Sequence, residues 1–453
     1  MKRFIFIFLV LIEFTLIASC GNCEDNKGSM SFDLSLMDAI TLAFKNNKDI
    51  QIQEQEIEIA KAAIGGARSQ FLPKVNLNAG YARNGAVTKV PIPGSKKDPG
   101  IFTGYENDNR LGVSLDESVY NGSANVVNFK QAQLGLKVQD ETLRVRKLDV
   151  EFETKRLYYG LLLAYETQAI AQDLVNQAQS HYEDVKKKFE QGTSSKFDLL
   201  QSKVQVSKLM PELVKAKNAV DLIAADLKKI LGLKMQDSLM LKDKLLYSLI
   251  EINEEEFLKQ AYLNKPEMNL KALGIDINKW AIQMAKSGWR PQVNADLGYS
   301  YRSNNPSNMF NNRHSNWNAG FTVTIPIFDG FSTKAKVDEA KARYAQAVLG
   351  KDNLSDQIAV DIRQACLDLK QAETIINSQK DNIEEAKEAL KIAEVSYNNG
   401  EGTNLDVLDV QVSLSQIEKN FSEGIYDYLM AKAFLDKTMG QGYLQEAKNE
   451  KKD

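Results

Sequence analysis

The chain has 453 residues, is 43% apolar and 26% charged, and carries a net charge of −3 from 57 basic and 60 acidic side chains. That balance gives no argument for nucleic acid as a partner, and no basic run or interleaving of aromatic with basic residues appears. With two histidines, His181 and His314, and three cysteines, a His/Cys metal site or a histidine-activated nucleophile has almost nothing to be built from, and no cofactor is implied.

The chain opens on Met1-Lys2-Arg3, followed by an apolar run from Phe4 to Ala18 that Glu13 interrupts. The run is too short for a spanning helix and reads as an export signal over residues 1–19. It ends in Ile17-Ala18-Ser19-Cys20, an apolar residue and two small ones before a cysteine. That pattern resembles a bacterial lipoprotein cleavage box and makes Cys20 the expected lipid anchor. Ordinary cleavage beside a small residue is the plainer alternative. Either way the mature protein leaves the cytoplasm. Cys23 is merely a near neighbour and Cys366 has no obvious partner, so no disulfide framework is implied.

Next comes a helix, then two strands. Val75, Leu77, Ala79 and Tyr81 alternate with polar or small residues, as a strand with two different faces requires. A Gly-, Pro- and Asn-rich loop over 84–110 follows, and Tyr120-Asn121-Gly122 closes the second strand. Residues 123–189 then form one very long predicted helix. It breaks at FEQGTSSKFDLLQSK, where Gly192 precedes Asp198, and a shorter helix follows that Pro211 is expected to kink. Leu227 and Gly232 end this unit, and residues 234–253 connect it to what comes next.

What comes next is the same unit again. Ser287-Gly288-Trp289-Arg290-Pro291-Gln292-Val293-Asn294 matches Ser69-Gln70-Phe71-Leu72-Pro73-Lys74-Val75-Asn76 at an offset of 218. Phe328-Asp329-Gly330 matches Tyr120-Asn121-Gly122 at 208, because the loop over 303–316 is shorter. At that same offset YNNGEGTNLDVLDVQ repeats the first break, with Gly400 for Gly192 and Asp406 for Asp198. The expected organisation is therefore a repeat over 20–233, a connector over 234–253, a second repeat over 254–440 and a charged tail over 441–453.

The second copy carries the clearest patterns. Trp317, Ala319, Phe321, Val323 and Ile325 alternate in one strand, and Val293, Ala295, Leu297, Tyr299 and Tyr301 in the other. Nine or so residues suffice for a tilted strand to cross a bilayer. A soluble antiparallel sheet with one face on a core alternates in the same way. Ile362, Ala365, Leu369, Ala372, Ile376, Gln379, Ile383, Ala386, Leu390, Ala393 and Tyr397 step by three and four, a coiled-coil seam. A helix over 332–397 is ~100 Å long, more than a globular domain needs. Four strands per chain cannot close a barrel, but three chains supply twelve, within the range of outer-membrane barrels.

With its duplicated layout, its matched prolines Pro73 and Pro291, its glycine exits and its two breaks, the chain resembles the TolC-type outer-membrane efflux protein family over nearly all of the mature sequence. The resemblance implies a mainly α-helical fold, in which a homotrimer joins a long α-helical barrel in the periplasm to a 12-stranded β-barrel in outer-membrane lipid. It implies a passive exit duct for efflux or type I secretion, served by an inner-membrane transporter and a periplasmic adaptor protein. Gly192, Gly400 and Gly402 then mark the tip turns where the adaptor docks. Asp406 and Asp409 narrow the pore entrance as two rings of carboxylates, whose crowding favours bound cations or raised pKa values. For Asp406 alone, an acidic residue that suits the start of a helix is an equally direct reading. The first copy has Gln201 in place of Asp409, so only the second copy forms the pair. Gly402 stands where some relatives carry a basic residue, which removes one side of a salt-bridge latch. Two other classes compete. An extracytoplasmic coiled-coil scaffold explains the heptads but not the export signal or the strands. A secreted enzyme lacks a pocket and a nucleophile.

Overall fold

The structure is a computed structural model and describes residues 31–85, 87–90, 101–311 and 314–442. The export segment, Cys20 and most of the charged tail lie outside the described residues. The first unit contains β1 (Ser31–Leu34), α1 (Leu36–Asn46), α2 (Lys48–Ser69), β2 (Lys74–Arg83), β3 (Thr88–Val90), β4 (Ile101–Thr103), β5 (Asn107–Asn121), α3 (Ala124–Glu190) and α4 (Lys196–Leu231). A connector strand, β6 (Ser238–Leu241), precedes α5 (Glu254–Asn264), α6 (Pro266–Lys286), β7 (Gln292–Ser303), β8 (Ser315–Thr324), α7 (Ser332–Asn399) and α8 (Asn404–Thr438).

Three features depart from the sequence expectation. The opening helix of each copy is split in two. Asn47 leaves helical geometry and its side chain accepts from the amides of Asp49 and Ile50, starting α2 afresh. In the second copy Pro266 opens α6 and holds Lys265 extended. Next, the connector is not a plain linker, because β6 pairs in parallel with β1 from Ser31↔Ser238 to Leu34↔Leu241. The loop over 84–110 contains the short β3–β4 hairpin and the start of β5. Pro211, expected to kink the shorter helix, lies inside the continuous α4.

The long helices form as expected. α3 has 67 residues and α7 has 68, so each spans ~100 Å at 1.5 Å per residue. The α7 seam is fully buried at Ile358, Ile362, Ala365, Leu369, Ala372 and Ile376. It becomes half-buried towards the tip, at Ile383, Leu390 and Tyr397. The core lies at mid-height, where α3, α4, α7 and α8 meet α1 and the connector around Tyr158, Leu161, Leu227, Tyr428 and Leu435. The Tyr158 hydroxyl stands 3.0 Å from the Leu34 carbonyl and 2.8 Å from Asp243 Oδ2. Asp243 also accepts from the Leu36 amide at 2.9 Å. This buried knot fastens the connector to the start of the chain.

The four strands form one antiparallel sheet in the order β2-β5-β7-β8. The two hairpins share a register: Lys74 faces Asp116 in the first, and Gln292 faces Thr324 in the second. Alternation sorts the sheet into two faces. One carries Asn76, Asn78, Ser114, Asp116, Asn294, Asp296, Ser300, Thr322 and Thr324. The other carries Val75, Leu77, Tyr81, Leu111, Val113, Leu297, Tyr299, Trp317, Phe321 and Val323. No core covers the apolar face: Leu77 and Trp317 are each 72% exposed and Phe321 67%. A soluble sheet hides its apolar face; this one leaves it open.

Candidate pore entrance at the helix turns

The two breaks fold into the same turn. α3 ends at Glu190, and Gly192 takes φ 78°; α7 ends at Asn399, and Gly400 takes φ 79°. Both lie in the left-handed region that glycine enters without a Cβ clash. A Cβ at either position would meet open space, so backbone geometry alone asks for glycine there. The amide of Thr193 donates to the Lys188 carbonyl at 2.8 Å, and that of Glu401 to the Ser396 carbonyl at 2.9 Å. Each reversal then enters a capping box. Ser195 caps α4, its hydroxyl and amide both donating to Asp198 Oδ2. Thr403 caps α8 in the same way, with its hydroxyl 2.7 Å and its amide 2.8 Å from Asp406 Oδ2. Gly402 has a separate reason to be small, since a Cβ there would sit 3.1 Å from Ser396 Cβ and 3.2 Å from the Tyr397 amide nitrogen.

Asp406 is thus first a capping residue. Its two bonds from Thr403 hold its carboxyl below the usual range, so the raised value expected for crowded carboxylates does not arise within one chain. Asp409 lies one turn further along the same helix. It is exposed and makes no side-chain hydrogen bond or ion pair with the described residues. The position of Asp406 recurs in both copies because both need the cap. Asp409 has no such duty.

Around these turns lies a polar network that the sequence reading missed. Asn404 is 2% exposed. Its Nδ2 donates to Gln201 Oε1 at 2.9 Å, while its Oδ1 lies 2.7 Å from His181 Nε2 and accepts from Ser202 Oγ at 3.1 Å. In the orientation in which Asn404 Nδ2 donates to Gln201, the bond to Asn404 Oδ1 has His181 Nε2 as its donor. Burial lowers the His181 pKa, against the opposing pull of Asn404. Nearby, Lys188 Nζ sits 4.2 Å from the centre of the Tyr397 ring and 3.0 Å from Asn398 Oδ1. The ring of Tyr397 also lies 5.3 Å from that of His181. The start of α8 is therefore tied to α3 and α4 of the first repeat. The signal for this tie is visible only as asymmetry: Lys196, Gln201 and Ala389 occupy the positions equivalent to Asn404, Asp409 and His181.

A two-faced sheet set on helices of this length defines an outer-membrane channel-tunnel. A sequence model of the outer membrane efflux protein family matches residues 39–233 and 257–441. The chain belongs to that family. It is 24% identical to outer membrane protein TolC of Vibrio cholerae over 90% of both chains. It is 20% identical to the alkaline protease secretion protein AprF of Pseudomonas aeruginosa, over 89% of this chain and 84% of that protein. The structure matches the Campylobacter jejuni CmeC outer membrane channel with a TM-score of 0.78 at 20% identity, over 92% of this chain and 88% of that one. The protein is an outer-membrane efflux channel, with its sheet in the outer membrane and its helical part in the periplasm.

Proposed function

We propose that three copies close a twelve-stranded barrel and a continuous helical tunnel, and that this duct passively carries cargo received from an inner-membrane transporter through a periplasmic adaptor. The observation that carries the reading is the sheet: one apolar face, one polar face and two free edges, at β2 and β8, among the described residues. Open edges are not tolerated in lipid, and closure by further copies removes them. The repeat over 20–233, the connector over 234–253, the repeat over 254–440 and the tail over 441–453 are the units of this assembly. The turns at Gly192, Gly400 and Gly402 form the periplasmic tip and the docking place of the adaptor. Asp406 and Asp409 line the entrance. Asp409 supplies the unpaired charge, the His181–Asn404 contact holds the start of α8, and the Lys188–Tyr397 contact holds the end of α7. Cys20 anchors the mature chain by a lipid. A family named for efflux and a relative named for protease secretion both fit a duct whose cargo the transporter chooses.

The test is a planar-bilayer recording of the detergent-purified full chain after its native mass is measured. A mass of three chains with small, cation-selective currents is the expected result. A well-folded preparation of that mass that never conducts would return the coiled-coil scaffold as the better account.

A further inference from the structure

The repeat carries information about an interface that one chain does not contain. Under the offsets of 218 for β2→β7 and 208 for β5→β8, the two hairpins superimpose pair by pair: Val75↔Leu115 becomes Val293↔Val323, and Tyr81↔Asn109 becomes Tyr299↔Trp317. Between the hairpins runs one seam, β5 against β7, in which Asp116 faces Asp296, Leu115 faces Leu297 and Asn121 faces Gln292. A ring of alternating first and second copies needs a second kind of seam, β8 against β2 of the next chain. A barrel of near-sixfold symmetry closes only if that seam repeats the register of the first.

We infer that β8 pairs antiparallel with β2 of a second copy of this chain in one defined register, with Thr324 facing Asn78, Val323 facing Ala79 and Asp329 facing Lys74. The inference rests on the trimeric reading above and fixes what that reading leaves open. The pairing it produces is consistent on both faces. Outward, Ile325 meets Leu77 and Phe321 meets Tyr81, all exposed in the single chain. Inward, Thr324 meets Asn78 and Thr322 meets Gly80. Pro326, which cannot donate to a ladder, falls at the position of Ser118, beside the irregularity in the β5–β7 seam between Ser118 and Tyr120. Gly122 in the first seam packs so closely that a Cβ would meet the Ser287 carbonyl oxygen, and its own carbonyl accepts from Arg290 Nη1 at 3.1 Å. Its counterpart Gly330 has the same left-handed φ but open space around it, where the next chain belongs.

The two seams differ in where they are clamped. The first is clamped at its outer end, where buried Asp108 accepts from Arg302 Nε at 2.7 Å and Nη2 at 2.9 Å and also pairs with Arg110. The matching positions in the second seam are Asn316 and Asn84, which carry no charge. Its opposite charges fall at the periplasmic end instead, where Lys74 faces Asp329. The Asp329 carboxylate also accepts from the Thr333 amide at 2.8 Å. A shift by two residues keeps the two faces in place but loses this charge match.

The register is tested by oxidative cross-linking of the full chain, with Cys23 and Cys366 replaced by serine and alanine and Cys20 kept, since its lipidated sulfur has no free thiol. Thr324→Cys with Asn78→Cys should convert most of the protein into a covalently linked three-chain species that reductant reverses. Thr324→Cys with Asn76→Cys, two residues out of register, should stay mostly uncrosslinked. Efficient cross-linking of the second pair in place of the first overturns the register. So does failure of both pairs in a sample whose native mass is that of three chains. A single-chain native mass would overturn the trimer itself, and the register with it.

Discussion

At the scale of the residue, the aspartates three apart turn out to do different work. Thr403 and Asp406 close the capping box that starts α8, and Ser195 and Asp198 do the same for α4. Losing the Thr403 hydroxyl should cost about 1 kcal/mol. Thr403→Ala is therefore expected to speed hydrogen exchange in the first turn of α8 while Thr403→Ser leaves it near wild type. His181 sets a pH dependence. Its pKa is depressed in the folded chain, so the unfolded chain binds more protons once the pH falls below the ordinary histidine value of about 6.5. Its contribution is full above that pH and is lost as the pH falls through the depressed value. Acidification from neutral towards pH 5 should thus lower the protection of amides around Asn404, after correction for intrinsic exchange. His181→Gln, which keeps a donor but does not titrate, should flatten that response. Asp406 and Asp409 stood out in the sequence because the first copy has Asp198 at the position of the one and Gln201 at that of the other, while their place at a pore entrance came only from the family resemblance. The His181–Asn404 contact was not legible, because its members lie 223 positions apart and neither residue type recurs at its counterpart position, Ala389 and Lys196.

At the scale of the element, turns and seams carry distinct energies. Gly400 has empty space where its Cβ would stand, so Gly400→Ala acts through the left-handed backbone alone and should cost roughly 1 kcal/mol. Gly400→Asn should cost less, because Asn tolerates that region, and limited proteolysis at the tip would rank the two. The α7 seam is a packing matter. Leu369 is fully buried, and Leu369→Ala should destabilise by about 3 kcal/mol in thermal unfolding. Leu367 on the same helix is 53% exposed in the single chain, and Leu367→Ala should change little unless an adjoining chain covers it. The long helices were readable to within a few residues, since an apolar step of three and four runs unbroken from Ile362 to Tyr397. The split at Asn47 and the β1–β6 pairing were not. A single extended residue leaves no periodic trace, and four-residue strands that pair across 207 positions have too few side chains to show a pattern.

At the scale of the whole molecule, the chain is half of several things. Its sheet has no core on its apolar face, its edges are open, and its long helices expose apolar residues such as Leu200, Val204, Ile392 and Val395. Alternation alone could not choose between a soluble sheet and a membrane wall. The exposure of Leu77, Trp317 and Phe321 does choose, because a sheet so oriented is stable only in lipid. The central claim is that the duct narrows at the helix turns and that Asp409 provides its unneutralised charge. The most direct measurement is the reversal potential of single channels in a salt gradient, for wild type, Asp409→Asn and Gln201→Glu. Cation selectivity that falls in Asp409→Asn and persists in Gln201→Glu is the predicted result. Equal selectivity in wild type and Asp409→Asn, with intact three-chain mass, would contradict the account and move the entrance away from α8.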